Sequence, residues 1–185
     1  MSAEYRNGGL NMSDTIQVIK ERRSVRKYQD RRVPQEVIDR IVEAGTYAPT
    51  GMGKQSPIIL QIKNDMVRDE LSKQNAEIMG KPGTDPFYGA KDVLVVLANR
   101  EIPTYLYDGS LVMGTLMLAA KDLGVDSCYI FRAKEEFESE YGKALLKSLG
   151  IDGDYEGIGH VILGYAEGGQ PKAAPRKQNY VYIVE

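Results

Sequence analysis

The sequence predicts an α+β fold, one domain in which helices cover a sheet. Three observations carry this. A chain of 185 residues suits a single domain with a proper hydrophobic core. Apolar residues make up 42% and charged residues 27%, the balance of an ordinary globular protein. Short β-branched runs alternate with stretches of helical periodicity, and no repeat, low-complexity tract or linker interrupts them.

The elements follow in order. Residues 1–12, "MSAEYRNGGLNM", carry no apolar signal core and read as a flexible leader, so the domain spans 13–185. Met12 is a candidate alternative start. Ser13 is a plausible N-cap for a short helix with Ile16, Val18 and Ile19 on it. Val33-Pro34 opens a second helix, because proline suits a first turn and Glu36 suits the positive end of the dipole. Val37, Ile38, Ile41 and Val42 form its buried face, and Gly45 is placed to end it. The stretch 47–57, "YAPTGMGKQSP", is a shaped loop. A strand is expected over 58–63, a helix over 65–79, and an irregular stretch over 80–90. Residues 92–99, "DVLVVLAN", have the pattern of a strand buried on both faces. The segment 108–123 is helical and apolar nearly all round. A chain this small has difficulty covering such a helix alone, so a subunit interface is expected there. A strand at 127–132, a charged helix over 134–149, a strand at 157–167 and a terminal strand at 180–184 complete the reading.

Charge and composition exclude several functions. The net charge of −2 argues against general nucleic-acid binding, which needs a broad basic surface. Cys128 is the only cysteine and His160 the only histidine, so an intramolecular disulfide, cysteine-rich clusters, histidine-rich metal sites and a second-histidine triad are all out. No stretch is apolar and long enough to span a bilayer. A cytoplasmic protein is expected.

One feature stands out in this acidic chain. Between Lys20 and Arg32 lie seven Lys or Arg residues and two acids. Arg22, Arg23, Ser24 and Arg26 offer guanidinium forks and a hydroxyl that match a phosphate. The same run also reads as a solvated basic turn. A second basic patch, Lys172, Arg176 and Lys177, lies far away in sequence and reads either as a surface loop or as the other side of one dianion seat. His160 and Cys128 read as structural residues in apolar strands.

Four segments resemble the FMN-dependent nitroreductase family, in the family's order: "RRSVRKY", "APTGMGKQSP", "DGSLVMGTLMLAAKDLGVDSCYI" and "GHVILGYAEGGQPKAAPRKQNYVYIV". They cover most of the chain from about Ile16 onward. The resemblance implies a nitroreductase-like fold, a central mostly antiparallel sheet covered by helices, in an intertwined homodimer with FMN at the interface. It implies that Arg22, Arg23, Ser24 and Arg26 hold the FMN phosphate and ribityl chain, with Arg176 and Lys177 closing on the same phosphate. Pro49, Thr50, Gly51, Met52 and Gln55 would come from the other subunit and line the ring. Asn75 would face the flavin's pyrimidine, Ile130 and Phe131 would run under the ring, and Gly164 would let the backbone approach. The helix 108–123 would be the central dimer helix. NAD(P)H would be the electron donor, with nitroaromatics, quinones or similar molecules as acceptors. No catalytic acid, base or nucleophile is then required of the protein, because the flavin carries the redox chemistry. A non-catalytic FMN-binding module, or a divergent flavin enzyme of the same fold, would use the same loops. The chain departs from many relatives in carrying Lys54 before Gln55 and in having no Trp.

Overall fold

A computed structural model describes residues 15–185. The elements in chain order are α1 (Thr15–Glu21), α2 (Gln35–Thr46), β1 (Pro57–Ile62), α3 (Asp65–Ile78), β2 (Asp92–Asn99), α4 (Tyr105–Asp122), β3 (Asp126–Ile130), α5 (Ala133–Glu138), α6 (Glu140–Ser148) and β4 (Tyr155–Gly164). Pro34 stands at the cap position of α2, and Asn64 caps α3 by accepting from the amides of Met66 and Val67. The expected cap at Ser13 and the leader 1–12 lie outside the described residues.

The four strands form one sheet in the order β1-β2-β4-β3, with every strand pair antiparallel. The central position of β2 explains its continuous apolar run: successive side chains serve opposite faces. Val93, Val95 and Leu97 enter one core with Leu71, Phe87 and Phe137. Leu94, Val96 and Ala98 enter the other with Ile41, Met113 and Leu116. Each of the larger side chains so buried contributes roughly 1.5–3 kcal/mol relative to exposure. The α+β expectation therefore holds, with helices on both faces.

Several details differ from the sequence reading. Gly45 does not end α2, which runs to Thr46. Instead a β-carbon at Gly45 would lie 2.5 Å from Leu116 Cδ2, so the glycine permits close packing of α2 on α4. The single helix expected over 134–149 is two helices broken at Ser139. Ser139 leaves helical geometry (φ −70°, ψ 163°), and its Oγ accepts from Gly142 N at 3.1 Å as the cap of α6. β3 ends at Ile130 rather than at 132. Residues 180–184 form no strand and are exposed. Their β-branched and aromatic content supplies propensity, but a strand also needs an edge to pair with. Helix α4 starts earlier, at Tyr105, and the described residues cover only one of its faces. Val112, Met113, Leu116 and Ala120 are buried, whereas Leu106, Tyr107 and Leu111 are exposed.

Candidate functional site

The basic run is built onto the edge of the sheet. After α1 the chain becomes extended and docks beside β3, where Val25 N donates to Ser127 O at 3.0 Å and Ser24 forms a bridge with Ser127. Further on, Gln29 N donates to Tyr165 O at 2.9 Å and Glu167 N to Lys27 O at 3.0 Å. Val25 and Tyr28 are buried and hold the run down, while Arg26 and Lys27 stay exposed. The three cations at 22, 23 and 26 are not equivalent. Arg23 Nη1 donates to the carbonyls of Lys20 (2.6 Å) and Arg22 (2.8 Å), which caps the end of α1. Arg22 Nη1 approaches Ser24 Oγ at 3.5 Å. Ser24 and Arg26 line a groove of about 430 Å³ whose far wall is the loop Glu167–Pro171. Gly164 faces the ring of Tyr28, and a β-carbon there would lie 2.7 Å from Tyr28 Cδ1.

Two buried oxygens next to this run, Tyr28 Oη and Ser127 Oγ, have no hydrogen-bond partner among the described residues. Orphaned buried polar atoms are rare and call for an explanation. Behind the run, burial pushes the Cys128 thiol upward, against the opposing influence of Arg26, Ser24 and Arg22. Burial also drives the Tyr28 phenol well above its ordinary value. Both groups are therefore neutral and do not compete with an anion for Arg22 and Arg26. Guanidinium groups, a serine hydroxyl and an open groove make a donor set that fits a phosphate.

A second cluster lies at the far end of β3. Ile130 is buried, whereas Phe131 is 64% exposed. Asn75, fully buried on α3, donates to the Phe131 carbonyl at 2.8 Å and to the carboxylate of Glu136. Its Oδ1 accepts from Arg132 Nε at 2.8 Å. Glu136 also meets His160 Nε2 at 2.8 Å, and both side chains are fully buried. The structure thus brings Asn75 and Phe131 together, with both amide hydrogens of Asn75 on protein acceptors. From Ser127 to Phe131 is four residues, or roughly 13 Å at the ~3.3 Å rise of a strand.

The third part is the loop before β1. Gly51 to Gly53 make a 3-10 turn in which Met52 adopts φ 53°, and Gln55 adopts φ 49°. Positive φ at non-glycine residues costs of order 1 kcal/mol each and needs outside support. Asp108, buried at the start of α4, supplies it. Its Oδ1 accepts from Gly51 N at 2.9 Å, and its Oδ2 from Ser56 Oγ (2.9 Å) and Thr104 Oγ1 (3.0 Å). Thr50 Oγ1 accepts from Gln55 N at 3.1 Å. Pro49, Met52 and Gln55 are exposed, and Thr50 and Gln55 line a groove of about 410 Å³ with Val42, Pro57, Ile59 and Val112. Sequence reading missed Asp108; an acid at the start of an apolar helix was the available signal.

This loop feeds β1 on one edge of the sheet, and the basic run docks on β3 at the opposite edge. Within one chain the two groups line separate grooves. Among the described residues Arg176 and Lys177 make their polar contacts within their own tail: Arg176 Nη2 donates to Ala174 O, and Lys177 stacks over Tyr180. Among the described residues no cluster of acids, His or Cys could hold a metal, and no helix is long and apolar enough to cross a membrane.

Known proteins share this fold. Residues 19–165 match the nitroreductase family. A curated relative from Methanothermobacter thermautotrophicus, provisionally named an NADH dehydrogenase/NAD(P)H nitroreductase, is 32% identical over 66% of this chain; the match spans 63% of that relative. A nitroreductase with bound FMN from Bacteroides fragilis superposes with a TM-score of 0.84 at 27% identity, covering 94% of this chain and 100% of that one. A second, with bound FMN from Desulfitobacterium hafniense, gives 0.80 at 28% identity over the same shares.

Proposed function

This chain belongs to the nitroreductase family, and we propose that it is an FMN-dependent oxidoreductase that works as a homodimer. The observation that carries the FMN reading is the donor set docked beside β3: Arg22, Ser24 and Arg26 beside two orphaned buried hydroxyls, with an exposed ring-sized residue, Phe131, just past the end of that strand. In this reading Arg22, Ser24 and Arg26 take the phosphate, and Arg23 holds the helix end that presents them. FMN-bound structures of similar fold support the assignment.

The homodimer is supported by geometry that one chain leaves incomplete. The loop with Pro49, Thr50, Gly51, Met52 and Gln55 stands at the sheet edge opposite the basic run. A two-fold-related copy would bring the loop of one chain to the run of the other. The exposed face of α4, with Leu106, Tyr107 and Leu111, and the exposed apolar tail 180–184 are the surfaces such a pairing would bury. Arg176 and Lys177 would then close on the phosphate.

When bound, FMN supplies the two-electron chemistry, accepting hydride from NAD(P)H and passing electrons to a nitroaromatic, quinone or similar acceptor in a ping-pong cycle. The chain's own part is to bind and orient. The Asp108-braced loop gives one wall of the ring pocket, and Phe131 with the end of β3 gives another. The test is the visible spectrum of purified protein, followed by NAD(P)H oxidation with an added quinone. A yellow protein that turns over supports the reading. A colourless protein that neither binds FMN nor is stabilised by it overturns it, and FMN binding without turnover reduces it to a binding module.

A further inference from the structure

Arg132 stands in the left-handed backbone region, at φ 79°. There a β-carbon is costly and glycine is the comfortable residue. A non-glycine residue kept in such a position by a surrounding that over-determines it points to function. The Arg132 side chain is held as firmly as its backbone. Nε donates to Asn75 Oδ1 at 2.8 Å. Asn75 is fixed in turn by the Phe131 carbonyl and by Glu136, and Glu136 is fixed by His160. Asn75, Glu136 and His160 are all fully buried. The two terminal nitrogens of Arg132 have no hydrogen-bond partner among the described residues. One bond therefore sets the plane of the guanidinium, and its four remaining N–H groups stay available. A half-buried cation mounted on a buried polar frame stands beside the exposed Phe131.

We propose that Arg132 is the fixed positive charge that favours the reduced state of the bound flavin. This rests on the FMN reading above. Hydride transfer adds two electrons and one proton to the flavin, so the ring gains one negative charge while NAD(P)H leaves as NAD(P)⁺. A cation already oriented at the ring's edge stabilises that charge without reorganising when it appears. Asn75 is then a positioning residue: its amide is committed to protein partners, and it acts by aiming Arg132. A polar frame serving the fold alone would have no need of a charged residue at a position that prefers glycine.

The experiment compares wild-type holoprotein with Arg132→Gly, Arg132→Gln and Arg132→Lys. Arg132→Gly removes the cation and relieves the positive-φ strain, which offsets the lost bond to buried Asn75, so its thermal midpoint stays close to that of the wild type. The preference for reduced over oxidised FMN falls at least tenfold, read as a drop of about 30 mV in the two-electron midpoint potential. Arg132→Gln gives the same drop with a side chain retained, and Arg132→Lys recovers part of it. An unmoved potential in both neutral variants overturns the inference, even if the KM for a carboxylate-bearing acceptor rises. Wild-type protein that binds no flavin sinks the FMN reading itself. Normal FMN binding with an unmoved potential sinks only the role of Arg132.

Discussion

The two basic stretches of this chain have similar composition and opposite structural standing. The run at 22–27 is sewn to β3 and the strand end of β4 by backbone hydrogen bonds, with Val25 and Tyr28 sunk in the core. The stretch at 172–177 makes only local contacts and is followed by an exposed apolar tail. The difference teaches that one half of the proposed phosphate seat is ordered without a ligand and the other is not. One half is ordered by burying its neighbours. The other finds nothing to order it among the described residues, and the proposed ligand and second copy would provide that.

The largest expected effect breaks the ordered half. Tyr28→Ala removes a buried ring that packs against Gly164, and it lowers stability by about 3–5 kcal/mol. Urea unfolding reads this, and a loss under 1 kcal/mol would mean the run is not held by Tyr28. Next comes Arg22→Ala, which weakens FMN binding by roughly 1.5–3 kcal/mol, the range for a charge-assisted hydrogen bond. Arg23→Ala costs less affinity, because that guanidinium caps α1. Equal losses in a fluorescence titration would erase the distinction. Arg176→Ala and Lys177→Ala each weaken FMN binding by about twofold to fivefold, more at low salt than at high, as expected for exposed charges. Neither shifts the unfolding midpoint. If affinity is also unmoved, the tail is not the second half of the seat.

The smallest effect reports on burial behind the run. Burial raises the Cys128 thiol above its ordinary value of 9.0. As pH rises through that value the unfolded thiol ionises while the folded one keeps its proton. The native state then binds more protons, so this group's contribution to stability falls with rising pH. Native Cys128 should react slowly with a thiol reagent at pH 8, and Tyr28→Ala should speed it. Fast labelling of the wild type would show that the run opens readily.

Much of the fold was legible because burial imprints a period on the sequence. The run 92–99 reads as a doubly covered strand from its residues alone, and β2 is that strand. Helices α2 and α3 lie where their apolar spacing puts them. The errors fall where a period says too little. The spacing over 134–149 does not register that Ser139 turns the chain and caps a second helix. The residues at 180–184 carry strand propensity without an edge in their own chain. At the site, the basic run was legible as a candidate anion seat, but its inequality was not. Nothing in "RRS" distinguishes the guanidinium that caps a helix from the one beside Ser24.

The sequence by itself determined the α+β class, the buried central strand and the two places where cations gather. These follow from local composition and from the periods of helix and strand. The tertiary structure alone decided which polar groups meet. Asp108 braces a loop whose Gly51 is 57 residues away, and Arg132 leans on Asn75 across the same separation. It also decided that the run and the loop 49–57 lie on opposite edges of one sheet. The physical reason is that burial can be read from a residue's near neighbours. A buried donor's partner is set by how distant segments pack.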